Sequence, residues 1–220
     1  MKTPILIVNF KTYQSGTGEK ALELARAADR VAKETGASIA VAVQAADIRI
    51  AREVSVPVLA QHVDPVGFGS HTGRMLPESV KESGAAGTLV NHSERRIGLE
   101  EVERSVKRCR EAGLVAVVCA ESTEEARKIL AFKPDFIALE DPELIGTLQS
   151  VSKLKPDNVR AFSSLLEGTG VRPLCGAGVA SPEDVRAALE LGTEGVLVAA
   201  AVMKAGEPGR ALEGLVAGLR

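Results

Sequence analysis

Eight short apolar runs, rich in β-branched residues, divide the chain at nearly even intervals: 5–8, 39–43, 57–60, 87–90, 114–118, 136–139, 171–175 and 195–198. The segments between them carry apolar residues every three or four positions, the period of an amphipathic helix. Most of the runs are apolar on both faces, as a parallel strand is when helices cover one side and the sheet packs on itself on the other. From Asn9, where the first run ends, to Ala199, where the last one ends, is 190 residues, about 27 per strand-and-helix unit. Eight such units use nearly all of the 220 residues. The spacing therefore predicts one α/β domain over residues 1–220, a closed eight-stranded parallel (β/α)₈ barrel, a little shorter than the ~250 residues usual for that architecture. A doubly wound open sheet is the alternative that the repeat pattern leaves open.

The helical segments read clearly. The first places Ala21, Leu24, Ala25, Ala28, Val31 and Ala32 on one stripe, with Glu19, Lys20, Glu23, Arg26 and Arg30 turned outward. Ser181-Pro182-Glu183-Asp184 is a strong helix start, with a capping hydroxyl, proline at the first helical position and acids in the first turn. Ser122-Thr123-Glu124-Glu125 opens another helix in the same way.

Composition removes several classes of function. Twenty-seven basic against 29 acidic residues give a net charge of −2, so no bulk field draws the chain to nucleic acid or to an anionic membrane. Aromatics are 3% with no tryptophan, too few for a base-stacking surface. No apolar run approaches the ~18 residues of a membrane span, and the N-terminal residues lack the apolar core of a signal peptide, so a cytoplasmic location is expected. Cys109, Cys119 and Cys175 are too few and too widely spaced for a disulfide scaffold or a zinc site and read as small core residues.

In a barrel of this kind chemistry sits on the loops that follow the strands. After the first run come Asn9 and Lys11; after the fourth, Asn91, His92, Ser93 and Glu94; after the sixth, Glu140. An amide, an ammonium, an imidazole and a carboxylate can together polarise a carbonyl and remove a proton beside it. The seventh and eighth runs are followed by small residues instead, Gly176-Ala177-Gly178 and Ala199-Ala200-Ala201, which let backbone N–H groups approach a phosphate. Each of these residues alone has an ordinary explanation, as a solvated charge, a turn residue or a helix-start cluster. Their gathering on one rim is what those explanations do not predict.

Asn9-Phe10-Lys11-Thr12-Tyr13, Asn91-His92-Ser93-Glu94-Arg95-Arg96 and Leu139-Glu140-Asp141-Pro142-Glu143-Leu144-Ile145-Gly146, with Cys175-Gly176-Ala177-Gly178, resemble the triosephosphate isomerases, and the short length resembles their archaeal branch. The resemblance implies a TIM barrel that interconverts dihydroxyacetone phosphate and D-glyceraldehyde 3-phosphate in glycolysis and gluconeogenesis, with neither a metal nor an organic cofactor expected. It implies Glu140 as the base and His92 as a neutral electrophile, the established roles in this family. It further implies Lys11 as a charge partner of the substrate, Asn9 as a hydrogen-bond partner of the substrate and Glu94 as a supporting residue. Residues 141–148 would form a lid, and the backbone at Ile145, Gly146, Gly178, Ala199 and Ala200 would receive the phosphate. A helix starting near Ile97 would turn its positive end toward His92 and favour the neutral imidazole. The family also implies a homo-oligomer, a tetramer ahead of a dimer, with apolar helix faces such as Val216 and Leu219 as candidate contacts.

Five positions depart from the family pattern, the first being Leu139, where tyrosine is usual. Asp141 stands where proline is usual; facing inward it would tend to raise the pKa of Glu140. Leu148 replaces a glycine, and Ala200 and Ala201 replace a serine and a glycine, which predicts weaker phosphate binding. Two other readings fit the same rim: a phosphate-ligand-binding barrel with impaired turnover, and another phosphosugar isomerase or epimerase. Three histidines without metal-spaced carboxylates speak against the metal-dependent epimerases.

Overall fold

The computed structural model describes residues 1–142 and 151–220. Its strands are β1 (Ile5–Asn9), β2 (Ser38–Val43), β3 (Val58–Ala60), β4 (Gly87–Val90), β5 (Val115–Ala120), β6 (Phe136–Leu139), β7 (Arg172–Cys175) and β8 (Gly195–Val198). Each pairs in parallel with the next, and β8 returns to β1 with Ile5 opposite Gly195. That closure excludes the open-sheet alternative. Around the barrel lie α1 (Glu19–Thr35), α2 (Pro77–Glu82), α3 (Leu99–Glu111), α4 (Thr123–Leu130), α5 (Val151–Leu154), α6 (Pro156–Leu166), α7 (Pro182–Glu190), α8 (Ala200–Met203) and α9 (Pro208–Val216).

The doubly apolar runs have a direct cause. Alternate strand residues enter two separate cores. Ile5 and Ile7, with Ala40, Ala42, Leu89 and Val117, fill the barrel interior. Leu6 and Val8, with Ile39 and Val41, face outward and meet the helices. The α1 stripe is buried as read at Ala21, Leu24, Ala25, Ala28 and Val31, with Ala32 only half-buried. Gly36 ends that helix in the left-handed conformation at φ 72°. Ser181 and Asp184 form a complete capping box on α7, and the Ser122 side chain accepts from Glu125 N on α4.

The second unit differs from the repeat. Between β2 and β3 the chain forms a 3₁₀ segment, Ala45–Arg52, in place of an α-helix. Only residues 44–57 are available to run back along the barrel. A 3₁₀ helix climbs ~2.0 Å per residue against ~1.5 Å for an α-helix, so the tighter winding covers the distance with fewer residues.

At the N-terminal end of the barrel Arg172 stacks over the Phe136 ring, 4.1 Å from its centroid, and donates to Met1 O at 2.6 Å. All three thiols are free and buried, as the core reading expected. Burial pushes the Cys109 and Cys175 thiols up to about 12, where they are unreactive.

Candidate active site

The strand pleat delivers most of the rim residues to one place. In β1 the inward positions run Ile5, Ile7 and then Asn9; in β6 they run Phe136, Ala138 and then Glu140. Both polar residues stand over the barrel mouth at the end of an inward-facing row, and both are buried, at 3% and 4% exposure. His92 breaks the rule. Leu89 points inward, so alternation alone would aim Asn91 at the mouth and His92 away from it. Asn91 instead adopts φ 60°, and the turned chain brings His92 over the barrel. Asn9, Lys11, His92 and Glu140 thus share one open cavity, with Gly178, Ala199 and Ala200 forming its opposite wall.

The polar wall is tightly coupled. His92 Nε2 lies 3.0 Å from Glu140 Oε1, and Ser93 N donates to Glu140 Oε2 at 3.1 Å. On the other side of the ring, Glu94 N donates to His92 Nδ1 at 3.2 Å. A nitrogen that accepts from a backbone N–H carries no proton, so the ring holds its hydrogen on Nε2 and presents it to the cavity. The Glu94 carboxylate, 3.8 Å from Nδ1, is too far to reverse that assignment. Glu94 bonds instead to Lys11 Nζ at 2.9 Å.

Lys11 sits at φ 48°, its own N–H accepted by Asn9 Oδ1 at 3.0 Å and its carbonyl bonded to Gln61 Nε2 at 3.0 Å. With Oδ1 engaged in that turn, what Asn9 can offer a ligand is the amide Nδ2 donor. Burial is the largest influence on Glu140 and by itself would raise its pKa. Hydrogen bonds from His92, Ser93 N and the Cys119 thiol outweigh it and hold the carboxyl below 4.5, the ordinary glutamate value.

The other wall is built of backbone. Gly178 adopts φ 71°, a conformation glycine enters without strain. At the start of α8, Val202 N is the first amide to bond back within the helix, to Ala199 O at 3.0 Å, which leaves the N–H groups of Ala200 and Ala201 without an intrahelical partner. Such an end receives anions. Gly176 joins the two walls: a Cβ there would lie 2.9 Å from Glu140 Cγ, so the carboxylate rests on a residue that must be bare. Among the described residues no group of three or more His, Cys, Asp or Glu could hold a metal ion, and no helix is long and apolar enough to cross a membrane.

The family model for triosephosphate isomerase matches residues 4–215. The chain belongs to the triosephosphate isomerase family. Curated triosephosphate isomerases from Methanobacterium bryantii and Archaeoglobus fulgidus are each 49% identical to it, over 98% of this chain and 96% and 98% of theirs. The triosephosphate isomerase of Methanosarcina acetivorans is 47% identical over 98% of this chain and 99% of its own. A crystal structure of triosephosphate isomerase from Bartonella henselae superposes with a TM-score of 0.76 at 22% identity, covering 99% of this chain and 98% of that one, and matches it in fold.

Set against the triosephosphate isomerase pattern, the condition under which Asp141 would raise the pKa of Glu140 is not met: its carboxylate pairs with Lys155 Nζ at 2.8 Å, and the pKa of Glu140 is lowered. The helix after His92 starts at Leu99, two residues later than expected. Ile145, Gly146 and Leu148 lie outside the described residues, as does most of the expected lid. Gln61 and Ser93 were given no role from sequence. Both follow strand ends, and that position is the signal that marks them.

Proposed function

We propose that this chain interconverts dihydroxyacetone phosphate and D-glyceraldehyde 3-phosphate through an enediolate, with Glu140 as base and His92 as electrophile. The observation that carries the reading is the pairing of a buried carboxylate with an imidazole whose only proton points into the same cavity. A substrate carbonyl entering the cavity takes the Nε2–H in place of Glu140, and the released carboxylate removes a proton from the adjacent carbon. Charge developing on the oxygen is met by His92 Nε2–H, the Lys11 ammonium and the Asn9 amide. Glu140 then returns the proton to the neighbouring carbon while the hydroxyl proton moves between the two oxygens by way of His92, so atoms and charge balance with no redox partner. The N–H groups of Ala200 and Ala201 and the Gly178 turn hold the phosphate in place.

The test is isomerisation in deuterated water followed by proton NMR. Deuterium entering the carbon next to the carbonyl, and lost with Glu140→Gln, is the expected result; isomerisation without Glu140 overturns the assignment.

The same proposal includes one domain over residues 1–220, a cytoplasmic location, which three unpaired thiols suit, and a homotetramer. Val216 does not serve as an outer contact, because it is buried in this chain's own core. Among the described residues, the exposed large apolar side chains are Phe68 at 80% and Leu154 at 55%. Phe68 sits on the loop after β3, which Asp64 closes by accepting from Met75 N at 2.6 Å, and Leu154 ends α5 after β6. Two apolar positions on different sides of a barrel suit a tetramer, which needs two distinct self-complementary contacts. Sedimentation is expected to find a tetramer, reduced to dimers by either Phe68→Ser or Leu154→Ser; a monomeric parent protein overturns it.

A further inference from the structure

The turn that brings His92 over the barrel lies in a network outside the cavity, buried at Asn91 and reaching the surface at Arg96. Asn91 is 1% exposed and has one of three non-glycine positive φ angles among the described residues. Its side chain is used at both ends: Oδ1 accepts from Ile97 N at 3.0 Å, closing the loop on itself, and Nδ2 donates to Cys119 O on β5 at 3.0 Å. Asparagine is among the few residues that tolerate this backbone conformation, and here its amide also fastens the loop at two points.

The main chain of Asn91 is gripped as well. Arg96 Nη1 donates to Asn91 O at 3.3 Å, while Arg96 Nη2 pairs with Glu125 Oε1 in the first turn of α4. Glu125 Oε1 also receives Asn91 Nδ2 at 3.3 Å, and Glu125 Oε2 receives Glu121 N at 2.8 Å. An acid at this position ordinarily supports its own helix N-terminus in solvent. Glu125 instead spends one oxygen on a loop 29 to 34 residues earlier in the chain. None of Asn91, Arg96 and Glu125 lines the cavity.

We propose that Asn91, Arg96 and Glu125 are positioning residues for His92: a brace that fixes the loop so that Glu94 N meets Nδ1 and the imidazole proton stays on Nε2. The inference rests on His92 acting as the electrophile. It assigns a function to an asparagine, an arginine and a glutamate that never touch substrate. The fork matters more than the charge, because one guanidinium reaches both a carbonyl and a carboxylate, which an ammonium cannot span in the same way.

The test uses the full-length protein labelled with ¹⁵N-histidine. Only three histidines are present, His62, His71 and His92, so the ring nitrogens of each can be followed separately. Parent protein, Arg96→Met, Arg96→Lys and the isosteric Glu125→Gln are compared by ring ¹⁵N shifts, by circular dichroism and by kcat and KM for glyceraldehyde 3-phosphate. Expected in the folded variants is a His92 ring that leaves the pure Nε2–H form while His62 and His71 stay unchanged. With it kcat falls roughly 10- to 100-fold, the scale of a small misplacement, and KM holds within about twofold. Arg96→Lys is expected to resemble Arg96→Met. Folded variants with the parent His92 shifts and parent kcat overturn the brace, as does a loss of thermal stability with kcat per folded molecule intact. A parent protein that shows the tautomer dependence but isomerises nothing overturns the functional reading and leaves the brace standing.

Discussion

The two walls of the cavity solve different problems with different material. The wall after β1, β4 and β6 is made of side chains, each held by at least one other group: Lys11 by Glu94, His92 by Glu94 N, Glu140 by His92 and Ser93 N. The wall after β7 and β8 offers main-chain N–H groups presented by a glycine at positive φ and by the first turn of a short helix. Proton transfer needs particular acids and bases at set distances, so that wall tolerates little change. Anion binding needs donors and room, which many small residues supply. The alanines at 200 and 201 are therefore permitted where a proton-moving residue has no substitute.

The contrast can be broken in either direction. After loss of the Glu140 base itself, the largest effect is expected from Lys11→Met, which removes a charge facing the developing oxyanion and the ion-pair partner of Glu94; kcat/KM should fall by on the order of 10²-fold, measured by steady-state kinetics. On the backbone wall, Gly178→Ala forces a Cβ into the left-handed region at a cost of about 1–2 kcal/mol. A rise in KM of about tenfold with kcat nearly unchanged is expected there, since the phosphate is held alike in ground and transition states. A fall in kcat matching the fall in kcat/KM would show instead that this wall also takes part in the chemical step. Ala200→Ser combined with Ala201→Gly is expected to lower KM a few-fold; an unchanged KM would mean that the N–H donors alone set phosphate affinity.

The smallest effect concerns pH. A base must be ionised to accept a proton, and the hydrogen bonds to Glu140 hold its pKa below the ordinary glutamate value, so the acid limb of activity should lie lower than that of a free glutamate. The limb of kcat/KM assigned to Glu140, after allowance for substrate phosphate ionisation near ~6, should be unmoved by Asp141→Asn, because Asp141 bonds to Lys155 and not to the base. A limb shifted by that substitution would mean that the two carboxylates interact.

What could be read from the sequence follows the same division. The barrel was legible because each strand buries both faces, which leaves continuous runs that no amphipathic strand has. Asn9 and Glu140 were legible because a polar residue ending such a run must stand at the barrel mouth. His92 was found from its company and not from alternation, which Asn91 overrides. The roles of Asn91, Arg96 and Glu125 were hidden because they depend on contacts between β4, β5 and α4 that no local pattern announces. The direction in which Asp141 faces was hidden for the same reason: its neighbour in sequence is Glu140, but its carboxylate pairs with Lys155. The 3₁₀ segment at 45–52 was hidden because its apolar spacing passes for an ordinary helix.

The most direct measurement is a coupled assay of glyceraldehyde 3-phosphate isomerisation, run beside Glu140→Gln, with methylglyoxal quantified in the same tube. Expected is rapid turnover with little methylglyoxal, reduced by at least about 10³-fold in the variant. Turnover that survives Glu140→Gln, or an inactive parent protein, would contradict the assignment of Glu140 and His92 as the pair that moves the proton.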